Sequence, residues 1–177
     1  MNERRKLQEA AYFLDSMLRK VWDPDAFEFE LSAFLSAGRS VLQYIHGRTA
    51  KGTPERAWYD AAMSAHPIMR FLKDERDTNI HASPLSTDQD VNIHDVKSGH
   101  LAEGASVLKY DVDGRVIDHT LPATTESQGG RVPTPSIVFR YTFRSWTGPE
   151  DVITLCRLYL TRLDSLVGEG IARGIIR

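Results

Sequence analysis

The chain holds one cysteine in 177 residues, Cys156, which excludes an internal disulfide and a cysteine-built metal site. It has no run of 18 apolar residues, so no membrane-spanning helix is expected. The start, Met-Asn-Glu-Arg-Arg-Lys-Leu, is charged with no apolar run behind it and does not read as a secretory signal. A cytoplasmic protein is the expectation. Net charge is also small: 22 Lys and Arg against 24 Asp and Glu give −2, so nucleic-acid contact would need a local basic patch. No Gly-rich phosphate loop, Gly-x-Ser-x-Gly elbow or His-Glu-x-x-His pair is present, which removes the signatures of P-loop NTPases, serine hydrolases and zinc peptidases. Neither repeats nor low-complexity tracts occur. What remains is one domain of ordinary composition, long enough to bury a substantial core.

Apolar periodicity supplies that core. Leu7, Ala10, Ala11, Leu14, Met17, Leu18 and Val21 recur at spacings of three and four, predicting a helix over 3–20. Asp23-Pro24-Asp25 interrupts it and offers a cap. Phe27, Leu31, Phe34, Leu35, Gly38, Val41, Leu42 and Ile45 predict a second helix over 26–45, ending at His46-Gly47, where glycine can adopt a left-handed cap. A third opens at Thr53-Pro54-Glu55, with threonine as cap and proline in the first turn. Pro67 removes a backbone donor and should kink or break it near 64–67 before it resumes through Phe71 and Leu72 to 81–84.

Residues 85–148 read as a β-containing insertion. Segments 106–112 and 115–120 flank Asp113-Gly114, the strongest hairpin signal in the chain. Residues 136–144 alternate Ile137, Phe139, Tyr141 and Phe143 with more polar neighbours, as a half-buried strand does. The stretch 124–135, rich in Gly, Ser, Thr and Pro, reads as a loop. A last helix is expected from Thr147-Gly148-Pro149-Glu150 to about Val167, with Gly168 and Gly170 marking its end. The fold expectation is mainly α: a four-helix up-down bundle with a small antiparallel β insertion between helices 3 and 4.

One polar segment carries potential chemistry: Arg76-Asp77-Thr78-Asn79-Ile80-His81, at the end of a helix. Histidine moves protons near neutral pH, and arginine holds a phosphate with its planar fork. Together they can support metal-free cleavage of RNA by its own 2′-OH. Spacing alone does not decide. Sixteen arginines and six histidines give about 1.6 chance matches to Arg-x(4–6)-His in a chain of this length. Arg39 to His46 is a second match. The plainer readings are a helix-end Arg76 paired with Asp77, Asp74 or Glu75, a His81 bonded to a terminal carbonyl, an Arg39 in an interhelix ion pair and a helix-end Asn79. Arg140 and Arg144 share a strand face that either binds an anion or is simply solvated.

In its setting, behind the periodic helix 26–45 and between apolar Phe71-Leu72 and Ile80, the segment resembles the signature of the HEPN (higher eukaryotes and prokaryotes nucleotide-binding) family. That signature is an arginine, a polar residue, then a histidine after four to six intervening residues. The resemblance spans roughly 3–84 and 149–170 and leaves the β insertion uncovered. It implies a helical homodimer with the two motifs facing each other and, in active members, a metal-independent ribonuclease needing no cofactor. Many members are instead binding or assembly modules. By carry-over Arg76 would contact the scissile phosphate, His81 would be general acid or base, and Asp77 would orient one of them. Asparagine or histidine is commoner at the Asp77 position. Arg39 and Asn79 are candidates for substrate contact, and a cognate antitoxin or other protein is a candidate partner. His94, His100 and His119 with Asp95, Asp111 and Asp118 lack metal-ligand spacing, and no metal site is expected.

Overall fold

In a computed structural model, the described backbone comprises residues 2–81, 87–94, 107–110, 116–120 and 136–177; described side chains are those of 2–79, 87–91 and 139–177. The order is α1 (Asn2–Arg19), α2 (Pro24–Gly47), α3 (Pro54–Ala65), α4 (Pro67–His81), β1 (Thr87–His94), β2 (Val107–Tyr110), β3 (Val116–Thr120), β4 (Ser136–Phe143) and α5 (Val152–Ala172). The protein is mainly helical. The chain divides into two compact units, 1–90 with 139–177, and 91–138.

The helical unit follows its apolar stripes. α2 is its centre: Phe27, Leu31, Phe34, Leu35, Val41, Leu42 and Ile45 form one buried face, each burial worth about 1.5–3 kcal/mol. Against α2 pack α1, α4 and α5. α5 contributes Leu155, Cys156, Tyr159, Leu163 and Leu166 to the same core. Asp23 caps α2 by accepting from the Ala26 amide at 3.0 Å, and Thr53 caps α3 through the Arg56 amide. Of the tryptophans, Trp58 and Trp146 pack on the core, whereas Trp22 stands exposed.

Pro67 breaks the third predicted helix completely. His66 is extended at φ −130° and ψ 107°, so α3 and α4 are separate, and five helices are described where four were expected. Proline disfavours the helical conformation of the residue before it. At the end of α2, Gly47 is still helical and Arg48 closes the helix in a right-handed conformation, so the expected left-handed glycine cap is absent there. Arg56 serves the terminal carbonyls instead, donating to the His46 oxygen at 3.0 Å.

α5 also departs from expectation at both ends. It begins at Val152, capped by Asp151, which accepts from the Thr154 amide at 2.7 Å. It runs through Gly168 and Gly170 to Ala172. Gly170 is a packing glycine: a β-carbon there would lie 2.6 Å from Ile176 Cδ1. The left-handed residue is Gly174, at φ +71°.

Strand β1 was not foreseen: Thr87–His94 is mostly polar, and its alternation is confined to Val91 and Ile93. It pairs with β4 in a two-stranded sheet. In the helical unit Gln89 donates to the Tyr141 hydroxyl at 2.8 Å, and the Tyr141 ring stacks on Phe27 of α2 with centroids 3.7 Å apart. In the second unit β2 and β3 pair antiparallel, Leu108 opposite His119, as the Asp-Gly signal implied. The Asp113-Gly114 turn and the 124–135 loop lie outside the described residues. Among those described, no helix is long and apolar enough to cross a membrane.

Candidate functional site

α2 and α4 each present polar residues to one groove. On α2, Arg39, Gln43 and His46 follow one another at four and three residues. On α4, Arg70, Lys73, Asp74 and Asp77 do the same at three, one and three. Between them, floored by Tyr59 and Met63 of α3, lies an open groove of about 710 Å³ whose walls include Arg39, His46, Arg70, Lys73 and Asp74. The His46 ring stands edge-on to Tyr59, with centroids 5.5 Å apart. Arg70 donates to the Ser64 hydroxyl at 2.6 Å.

Two of the groove residues, Arg39 and Lys73, converge with Arg76 on Asp77. Arg76 Nη1 donates to Oδ1 at 3.1 Å, Arg39 Nε lies 3.6 Å from the same oxygen, and Lys73 Nζ lies 3.4 Å from Oδ2. Burial acts to raise the Asp77 pKa, but the Arg76 hydrogen bond, the Arg39 charge and the Lys73 contact outweigh it and hold the carboxyl below its ordinary value. Lys73 is pushed up, first by its hydrogen bond to Asp74 and, against partial burial, by both aspartates.

The cluster has spare donor capacity. Arg39 Nε, Arg76 Nε and the Tyr159 hydroxyl are buried polar atoms without a hydrogen-bond partner among the described residues. Tyr159 is fully buried on α5. Its pKa is raised by burial and by Tyr59, while Arg39 acts against the shift, which places the hydroxyl within electrostatic reach of the cluster.

The structure therefore brings Arg39, Arg76 and Asp77 together. The interhelix ion pair and the helix-end pairing of the plainer readings are both present. Asn79 lies elsewhere in use: its amide donates to Ser32 Oγ at 2.7 Å and fastens α4 to α2. His81 is the last residue of α4, and its side chain lies outside the described residues. So do the side chains of His94, His100, His119, Asp95, Asp111 and Asp118. Arg144 pairs with Asp88 at 2.8 Å and Arg140 donates to the Pro149 carbonyl at 2.6 Å, so each arginine of that strand face has a partner. Sequence reasoning missed Arg70, Lys73 and Tyr159. The first two were signalled by their helical spacing with Asp77; Tyr159 carried no signal, being one more apolar-face position of α5.

Compared with family models, curated proteins and solved structures, the chain matches none.

Proposed function

We propose that this is a HEPN-like protein, its helices forming an up-down bundle in which α3 and α4 together stand for one broken helix, and that it acts as a metal-independent endoribonuclease on single-stranded RNA. The observation that carries this reading is the meeting of Arg39 and Arg76, from two helices, at Asp77, with Arg39 also lining an open groove. His81 follows about 7.5 Å further along the α4 axis. In the reaction the ribose 2′-OH attacks the adjacent phosphorus and the 5′-oxygen leaves, giving a 2′,3′-cyclic phosphate. Arg76, with Arg39, neutralises the phosphate as charge accumulates on it. His81 takes or returns the proton, a role worth roughly 10²–10⁴ in rate. Asp77 orients Arg76. The working form is a homodimer in the cytoplasm, with an antitoxin or other protein as its regulating partner.

Cleavage of a mixed single-stranded RNA in EDTA tests this. Wild type should leave cyclic phosphate ends, and His81→Ala should lose at least roughly a hundredfold in rate. Equal cleavage by both proteins, or none by either, removes the enzymatic reading. A second reading has its own support. Asp77 already engages Arg39, Arg76 and Lys73, which favours a non-catalytic binding module of the same frame. Such a module would be inert in this assay.

A further inference from the structure

Three cations around one carboxylate is the arrangement a bound oxyanion would find if the carboxylate were absent. Asp77 is charged, half-buried and held by Arg39, Lys73 and Arg76. Its two oxygens satisfy only part of the surrounding donor set. The Nε of Arg39, whose 3.6 Å contact with Asp77 is an ion pair beyond hydrogen-bond reach, and the Nε of Arg76 have no hydrogen-bond partner among the described residues. Guanidinium groups offer five donors each and recognise phosphate best through two parallel N–H bonds, which a single shared carboxylate oxygen does not provide.

We propose that the Arg39–Lys73–Arg76 cluster is a binding seat for a phosphoryl oxyanion and that Asp77 is its resident competitor, a carboxylate of the chain's own occupying the place of the ligand. Arg39 and Lys73 of the seat also line the groove, together with Arg70 and His46, so a ligand larger than one phosphate has room to extend along it. Arg39 lies seven residues from His46 on α2, giving the groove a length of about 10 Å. Asp77 is not released by protonation near neutral pH, because the same cations hold its pKa low. The ligand must therefore displace it, or a conformational change must withdraw it. This deepens the functional reading of the same site by naming what governs its affinity; it is measured by binding alone, so it stands or falls separately from cleavage.

The experiment is calorimetric titration of the full chain with inorganic pyrophosphate and, in a second arm, with a short single-stranded RNA bearing 2′-O-methyl riboses and no terminal phosphate. Wild type, Asp77→Asn and the double variant Asp77→Asn with Arg39→Gln are compared. Asp77→Asn should bind pyrophosphate roughly tenfold tighter than wild type, since an opposing charge is removed from the seat. The double variant should lose that gain. A matching gain with RNA assigns the seat to backbone phosphodiesters; a gain confined to pyrophosphate assigns it to terminal phosphate groups. Equal affinity of wild type and Asp77→Asn, or a gain that survives Arg39→Gln, overturns the proposal. Should Asp77→Asn fail to fold, wild type decides. The Nε–H resonances of Arg39 and Arg76 should shift on pyrophosphate addition, and their invariance at millimolar ligand overturns it equally.

Discussion

The edge of the Tyr159 ring occupies the space where a side chain at Gly38 would begin: a β-carbon built on Gly38 would sit 2.6 Å from Tyr159 Cε1. This contact lets α5 approach α2 closely at the residue before Arg39.

Gly38→Ala should therefore destabilise the protein. Alanine favours a helix over glycine by about 1 kcal/mol, but overpacking a buried ring costs about 1–3 kcal/mol. Tyr159 is fully buried, with Leu163 also close by, so the ring has little room to yield. Urea denaturation should show a net loss of up to about 2 kcal/mol. Unchanged or greater stability would mean that the α2–α5 contact is loose.

Acid should unfold the protein through carboxylates held in their charged form. Glu3 is buried in the first turn of α1 and accepts from Arg48 Nε. Burial raises its pKa, yet the Arg48 hydrogen bond and charge, with a backbone donor, bring it below the ordinary value; Asp77 behaves likewise. A folded-state pKa below the unfolded one adds stability that is present above the unfolded pKa, about 4 for a carboxyl, and disappears as pH falls through the folded value. Stability should be flat above about pH 5 and decline below it. In Glu3→Gln the decline should be shallower. An identical acid limb in the variant would rule out Glu3 as a contributor.

Cys156 should behave as a core side chain. It is fully buried, and burial, with Asp151 adding to it, pushes the thiol pKa up, so little thiolate forms. Ellman's reagent should leave the native protein unmodified and titrate one thiol after denaturation. Prompt reaction under native conditions would show that the α5 face opens readily.

The sequence determined the helical frame by itself. Apolar residues at spacings of three and four, Asp23 and Thr53 as caps, and Pro67 as a breaker are all local signals, because a helix is built from neighbours along the chain. The Asp-Gly hairpin belongs with them. β1 does not: the alternation of Thr87–His94 is confined to Val91 and Ile93, too short to signal a strand, and β4 supplies its partner. Likewise Gly168 and Gly170 suggested a helix end, whereas packing of Ile176 against Gly170 keeps α5 running past them. In the candidate site the sequence picked out Arg76 with its neighbour Asp77, and Arg39 as a further candidate. Lys73 and Arg76 reach Asp77 through their spacing on α4 itself; only the packing of α4 on α2 brings Arg39 to the same carboxylate, since electrostatic contact depends on distance in space, and residues far apart in the chain acquire it only when their helices pack.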